Sequence, residues 1–91
     1  MFRWLNKQGV ESTDGFVLQR MDRYFYHYIE DDRVLKVIVE PGLLYEEIHV
    51  LSLQHWQPPF GEDMIADADQ KRIRANISTA LDFMDTAHKF S

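Results

Sequence analysis

The sequence predicts an α+β fold, in which an antiparallel β-meander of about four strands is followed by one C-terminal helix packed on one face of the sheet. Two observations support this prediction. Residues 15–54 are rich in β-branched and aromatic residues and are divided by short turn signals. Beyond residue 67, apolar residues recur at intervals of three and four, which is the period of one helix face. The length of 91 residues is typical of a single domain, 1–91.

The four predicted strands lie within 15–54, and each is bounded by turn residues. Gly15 begins this region, Asp31-Asp32 is the predicted tip of a hairpin, and Pro41-Gly42 interrupts the chain again. No strand or helix is predicted for residues 1–14, whose pattern is mixed. The predicted strands are 16–21, 23–30, 33–40 and 45–53.

A turn on Asp31-Asp32 fixes how the two strands beside it pair. The pairs on one face are Tyr28–Leu35, Tyr26–Val37 and Tyr24–Val39, and those on the other face are Ile29–Val34, His27–Lys36 and Phe25–Ile38. Both faces are then largely apolar or aromatic, but a single helix covers only one of them. Three alternatives stay open for the second face: residues 1–14, a second copy of the chain, or a different protein.

The C-terminal helix is predicted over residues 67–88. Asp67 is the predicted N-cap, and Gln70 three residues later completes a pattern similar to a capping box. Its apolar face is predicted to contain Ile73, Ile77, Ala80, Leu81, Met84 and Ala87.

Residues 55–66 are predicted to form a linker between the sheet and the helix. Pro58 and Pro59 favour extended or polyproline II backbone, so they predict a rigid spacer of fixed direction. Trp56 has two interpretations. It packs against the helix near Ile73 or Ile77, or it stays exposed as an anchor for a partner.

The charges are distributed unevenly along the chain. No Lys or Arg lies between Lys36 and Lys71, whereas seven acidic residues do, in a chain of net charge −5. A negatively charged surface repels nucleic acid and anionic lipid and attracts basic proteins. The segment is therefore either a solubilising flank or a surface that steers a partner. The candidate partner-binding residues are Glu46, Glu47, Trp56, Glu62 and Asp63.

The sequence does not indicate an enzyme, and we expect no catalytic residue, no metal site and no cofactor. There is no cysteine, and no Gly-rich phosphate loop is present. Glu46 and Glu47 are adjacent, so on a strand they point to opposite faces and cannot act as a carboxylate pair. A zinc site at His49 and His55 is a weak alternative, because no clustered ligand spacing accompanies them. We expect no membrane span and no signal peptide. The absence of cysteine fits a reducing compartment, and we expect a cytoplasmic protein.

A family resemblance begins at the stretch "WQPPFGEDMI" and continues through "DADQKRIRANI". This part of the chain resembles the ending of small bacterial immunity proteins of the type numbered immunity protein 74. The shared features are Trp-x-Pro-Pro, a short acidic linker, an isoleucine, an acidic helix start and a basic Lys-Arg-Ile helix. The matching positions are Trp56, Pro58, Pro59, Glu62, Asp63, Ile65, Asp67, Lys71, Arg72 and Ile73. The resemblance covers about residues 45–83, and the Lys-Arg-Ile run departs slightly from the family spacing.

The resemblance implies a small cytoplasmic protein that binds and neutralises a cognate bacterial toxin domain, with a nuclease as one candidate. The acidic segment predicts that this toxin has a basic surface and that the chain binds neither nucleic acid nor membrane. The alternative is a homodimeric structural or interaction module that has no toxin partner. The resemblance does not identify which residues contact the toxin.

Overall fold

The computed structural model describes residues 1–91, and it contains seven strands and one α-helix. The strands are β1 (Phe2–Asn6), β2 (Gly9–Ser12), β3 (Phe16–Arg20), β4 (Phe25–Glu30), β5 (Arg33–Glu40), β6 (Glu46–Ile48) and β7 (His88–Phe90). The helix α1 spans Asp67–Phe83, and a short 3₁₀ helix spans Val50–Leu53. The predicted α+β class is confirmed, but the predicted number of about four strands is wrong.

The seven strands form one sheet in chain order, from β1 at one edge to β7 at the other. Neighbouring strands are antiparallel up to β6, and β7 then pairs with β6 in parallel. Because a parallel pair needs a long crossover, residues 49–87 with α1 form the connection from β6 to β7. The helix therefore belongs to the connection between β6 and β7.

The register of the predicted hairpin is confirmed. Tyr28 pairs with Leu35, Ile29 with Val34, and the remaining pairs follow in the same register down to Phe25 and Ile38. Asp31 occupies the tip with a φ of 56°, in the left-handed region that Asp tolerates better than most residues.

No strand was predicted at either end of the chain, but both ends form strands. Residues 1–14 form β1 and β2, which extend the sheet sideways. The helix ends five residues before its predicted end, because Asp85 takes a left-handed φ of 56°. Thr86 N–H then donates to the Leu81 carbonyl at 2.9 Å, and Asp85 N–H donates to Asp82, which are the two bonds of a Schellman motif. The chain is thereby redirected into β7.

The predicted N-cap is also wrong by one residue. Ala66 is the N-cap, and it has no side chain that can accept a capping hydrogen bond. Asp67 is the first helical residue. Gln70 contributes differently from the prediction, because its side-chain amide donates to the Ile65 carbonyl at 2.8 Å.

The linker closes on itself and is not an extended spacer. Phe60 N–H donates to the Gln57 carbonyl at 3.1 Å across the two prolines, whose peptide bond is cis. His55 and Met64 form an isolated antiparallel bridge that joins the two ends of the loop. The predicted rigid spacer at these prolines is therefore wrong, since the backbone turns there.

One core lies between α1 and one face of the sheet, and it contains sixteen buried apolar residues. The helix contributes Ile73, Ile77, Ala80 and Leu81, and the predicted face residue Ala87 is exposed, beyond the end of the helix. The opposite face of the sheet contributes no residue to this core. We call it the open face, and its residues on β2 to β5 are Glu11, Val17, Gln19, Phe25, His27, Ile29, Val34, Lys36 and Ile38.

Residues 1–14 do not cover the open face, because they lie beside β3 in the same layer. The open face therefore has no cover from any helix or strand of the chain itself. None of the helices combines the length and the apolar character that crossing a lipid bilayer requires.

Candidate functional site

A cleft of about 450 Å³ lies where the β4–β5 hairpin tip approaches the first turns of α1. The loop before α1 forms its third side. We call it the acidic cleft, because five carboxylates and only two guanidinium groups line it. Its lining residues are Glu30, Asp31, Asp32, Arg33, Trp56, Asp63, Met64, Ile65, Ala66, Asp69 and Arg72.

One carboxylate of the acidic cleft is neutralised by an internal ion pair. The Arg72 guanidinium holds the Glu30 carboxylate through two hydrogen bonds of 2.5 and 2.9 Å. Tyr28 also donates its hydroxyl to Glu30 at 2.6 Å, and Asn76 donates to the Tyr28 oxygen at 3.0 Å. This network connects β4 to α1, so Glu30 and Arg72 stabilise the fold and are already satisfied.

The network shifts the pKa values of its members. The hydrogen bonds from Arg72 lower the pKa of the Glu30 carboxyl below its usual value, despite partial burial. The same hydrogen bonds raise the pKa of Arg72. Burial raises the pKa of Tyr28, and the hydrogen bond to Glu30 adds to that effect. Glu30 is thus ionised and Tyr28 is neutral throughout the physiological range.

Three other carboxylates of the cleft have no basic partner. Asp31, Asp32 and Asp63 make no ion pair, and all three are exposed. Asp69 lies 3.6 Å from Arg72, which already holds Glu30. The Arg33 guanidinium is directed over the Phe60 ring at 4.7 Å. The cleft therefore has an excess of negative charge that the chain itself does not balance.

A few apolar residues also line the cleft. Trp56 and Ile65 are buried in the core, whereas Met64 is largely exposed. A long basic side chain suits such a site, because its methylene groups can lie on Met64 while its cationic head contacts the carboxylates. The geometry favours the binding of an arginine or a lysine of another molecule.

The five residues predicted to bind a partner do not form one surface. Asp63 lines the acidic cleft, and Glu62 is exposed beside it. Trp56 is only 7% exposed, in the same core as Ile73 and Ile77. This burial supports the packing interpretation of Trp56 and is incompatible with an exposed anchor.

Glu46 and Glu47 lie at the far end of the sheet, on β6. β6 pairs with the last residues of β5, whereas the cleft adjoins the first, and these ends are about 23 Å apart at 3.3 Å per residue. Glu46 forms an ion pair with Arg20 and accepts a hydrogen bond from the Tyr26 hydroxyl at 3.1 Å. It is therefore a structural residue, and the acidic segment is divided between two ends of the molecule.

The loop before β6 exposes two leucines at this far end. Leu43 and Leu44 are 104% and 86% exposed, and Glu40 and Glu47 flank them around a shallow hollow. The turn signal Pro41-Gly42 predicted this loop but not the exposure of its leucines.

Sequence reasoning missed Asp31 and Asp32 as site residues because they were assigned only to a turn. The available signal was the pair of adjacent acids at a predicted tip. Their proximity to Asp63 depends on how the linker folds, which the sequence did not show. No group of three or more His, Cys, Asp or Glu side chains is arranged to hold a metal ion. His49 lies near Glu40, and His55 contacts the Gly61 carbonyl.

Comparisons with protein-family models, with curated proteins and with solved structures gave no match to this chain. The resemblance to immunity proteins therefore stays a prediction, supported by the residues of the linker and the helix start.

Proposed function

We propose that this chain is a small cytoplasmic immunity-type protein, which binds a basic surface of a cognate toxin domain and so neutralises the toxin. The observation that supports this proposal most is the acidic cleft, where Asp31, Asp32 and Asp63 have no basic partner in the chain. Unbalanced carboxylates fit a partner protein that supplies basic side chains. The chain itself performs no reaction in this scheme.

Charge complementarity explains how such a protein would inhibit a nuclease. A nuclease binds phosphates through a basic cleft, and the acidic cleft presents carboxylates to the same basic groups. An arginine or lysine of the toxin would extend over Met64 towards Asp63 and Asp32. Contacts of this type increase the association rate and depend strongly on salt.

Two charge-reversed variants test the proposal. In the cleft variant, Asp32→Lys and Asp63→Lys reverse two unpaired carboxylates. Asp31 is left unchanged because its φ of 56° disfavours lysine. In the control variant, Asp14→Lys and Asp82→Lys change the net charge equally at exposed positions outside the cleft. Urea unfolding of both variants verifies that each one is folded.

The toxin domain to use is the one encoded beside this chain, co-expressed with it in a bacterial host. We expect the unchanged chain and the control variant to restore growth, and the cleft variant to fail. Affinity should fall about tenfold or more in the cleft variant only, since close charge pairs couple by ~1.5–7 kcal/mol. Equal binding by the two variants, or a neighbouring region that encodes no toxic domain, would contradict the proposal.

A homodimeric interaction module is the second candidate, and the open face favours it. Val17, Ile29 and Val34 form an apolar row there that no element of the chain covers. Sedimentation from nanomolar to micromolar concentration distinguishes the two functions. A dimer that persists at nanomolar concentration and dissociates in Ile29→Lys supports self-association, whereas a monomer throughout the series excludes it.

A further inference from the structure

The two edges of the sheet differ in how well they are protected against pairing with another strand. β7 has only three residues and carries the exposed Lys89 at its centre. Short length and a lysine both discourage pairing at an edge. β1 has five residues and pairs only with β2. Its register is interrupted between Trp4 and Asn6, so its regular edge extends over Phe2, Arg3 and Trp4.

The free backbone groups of this regular edge belong to Phe2 and Trp4. Thr13 N–H donates to the Met1 carbonyl at 2.9 Å, so Met1 and Thr13 are a hydrogen-bonded pair of the β1–β2 ladder. Such pairs alternate with non-bonded ones in antiparallel strands. Phe2 and Trp4 lie one and three positions beyond Met1, so both belong to non-bonded pairs. Their N–H and C=O groups point away from β2 and are available to a further strand.

The spacing of these free groups is self-complementary. When two copies of β1 run antiparallel about a two-fold axis at Arg3, Phe2 of each copy lies opposite Trp4 of the other. The free groups of both residues then face the second strand, and each Phe2–Trp4 pair exchanges two hydrogen bonds. The regular edge also begins and ends at the same residues in both copies. A second copy of the chain therefore satisfies all the free groups of Phe2 and Trp4 in a single register.

The side chains also match in this register. The rings of Phe2 and Trp4 lie 5.4 and 5.7 Å from the ring of Phe83, so both are on the helix side of the sheet. Each cross-strand pair is then aromatic on both strands, which is a favourable combination. Trp4 is 49% exposed and Phe83 is 42% exposed, so these rings have surface left to bury. Met1 and Leu5, which flank the regular edge, are also apolar and exposed.

The charges at the edge do not prevent this pairing. Arg3 lies opposite its own copy at the axis, and like charges in such a position are destabilising. Each Arg3 guanidinium is held by Glu11 of its own chain at 2.7 Å, so each ion pair brings no net charge to the junction. Lys7 lies four positions from the axis, so its two copies are at opposite ends of the junction. The backbone pattern and the aromatic pairs therefore select the partner, and charge does not.

We propose that two copies of this chain associate through their β1 edges, which joins the two seven-stranded sheets into one continuous sheet with a two-fold axis at Arg3. The acidic cleft adjoins β4 and β5, at least three strands away from β1, so both clefts stay accessible. The inference therefore does not rest on the proposed toxin binding. It also leaves the open face uncovered, so it is independent of association through that face.

A disulfide across the two-fold axis tests the register directly. The chain has no cysteine, so Arg3→Cys introduces a single thiol. Arg3 and its copy form a non-bonded pair with Cα atoms about 4.5 Å apart, a separation that a disulfide spans. Glu11→Cys is the matched control because it removes the same ion pair. In the proposed dimer its two copies are about 14 Å apart, at about 4.8 Å per strand, which is too far for a disulfide.

We expect oxidation to cross-link Arg3→Cys about tenfold or more faster than Glu11→Cys at equal protein concentration, because pairing holds the two thiols together. Adding Trp4→Pro to Arg3→Cys should reduce the rate to that of the control, since proline removes the outward N–H and is tolerated at edge positions. Trp4→Ala removes the same ring but keeps the N–H, so it should slow cross-linking less than Trp4→Pro does. Urea unfolding verifies that each variant is folded.

Sedimentation of the unchanged chain gives a second measurement that needs no substitution. We expect its average mass to rise from monomer towards dimer as the concentration increases to about 1 mM. Trp4→Pro should remain a monomer over the same range. Ile29→Lys, on the open face, should associate as the unchanged chain does.

Three results would overturn the proposal. An unchanged chain that stays monomeric up to about 1 mM would show that the β1 edge does not pair with its own copy. Equal cross-linking rates for Arg3→Cys and Glu11→Cys would show that two copies do not meet at Arg3. A dimer that persists in Trp4→Pro and dissociates in Ile29→Lys would assign the association to the open face.

Discussion

Two neighbouring rows of side chains cross the sheet from β1 to β5 on opposite faces. The row on the helix side is Trp4, Val10, Leu18, Tyr28 and Leu35, and the row on the open face is Arg3, Glu11, Val17, Ile29 and Val34. From β2 onwards the first row is fully buried, whereas the second remains partly exposed. Both rows are apolar on β3 to β5. The burial of a row is therefore decided by the helix above it and not by its own composition.

The largest expected effect comes from substitutions at two adjacent positions of β5, one in the buried row and one in the open row. Leu35→Ala should lower the free energy of unfolding by about 2–5 kcal/mol, because it leaves a cavity in the core. Val34→Thr keeps the shape and the β-branching of its side chain, and it should cost less than about 1 kcal/mol at a partly exposed site. Urea unfolding measures both values.

If Leu35→Ala and Val34→Thr lower the free energy of unfolding equally, the two rows do not differ in burial. That result would mean that the open face is buried in solution. Repeating the unfolding at several protein concentrations identifies the cause, because a dimer becomes more stable as its concentration rises.

A smaller effect is expected at the polar rim of the covered face. Arg72→Met removes the cation that holds Glu30, and we expect a loss of about 1 kcal/mol at pH 7, since Arg72 is partly exposed. Lys71→Met, at an exposed neighbouring position without an ion pair, is the control. The difference is measured as the shift in urea midpoint at each pH.

The pH dependence of this loss has a definite sign. The pKa of Glu30 is lowered in the folded chain, so its ionised form stabilises the fold above the ordinary value of 4.5. That stabilisation is lost as the pH falls through the folded pKa. The difference between Arg72→Met and the unchanged chain should therefore diminish below pH 4.5. A difference that is constant down to the acid transition would show that Arg72 acts by packing and not by charge.

The smallest expected effect comes from a substitution at the N-cap of α1, the helix that covers the buried row. Ala66→Ser supplies the missing N-cap oxygen and should raise the free energy of unfolding by about 0.5–1 kcal/mol. Asp67→Ala should cost only a few tenths of a kcal/mol, since Asp67 interacts with the helix dipole and does not cap. If Asp67→Ala lowers the free energy of unfolding by more than Ala66→Ser raises it, Asp67 and not Ala66 is the N-cap.

The hairpin of β4 and β5 could be predicted from the sequence because its information is local. A strong alternating pattern on each side of Asp31-Asp32 leaves one register that puts Tyr26, Tyr28 and Leu35 on the same face. β7 could not be predicted in this way. Its three residues pair with a strand about 40 positions earlier, and the residue that ends α1 is Asp85 where a glycine is the usual signal.

Only some residues of the candidate site could be predicted from the sequence, for a related reason. The acidic segment indicated Asp63, since charge composition is linear information. Asp31 and Asp32 lie outside that segment and join Asp63 only because the linker folds back and α1 begins beside the hairpin tip. Glu46 had the same sequence signature as Asp63, but tertiary contact with Arg20 gives it a structural role.

The crossover from β6 through α1 to β7 has a consequence for making smaller versions of this protein. Asp31 and Asp32 belong to a local hairpin, whereas Asp63 and the exposed lining residue Met64 lie in the long connection that β7 completes. An excised hairpin peptide would therefore carry two of the three unpaired carboxylates and none of the apolar lining residues. We expect recognition through the cleft to require the whole chain, so peptide mimics of it should be poor substitutes.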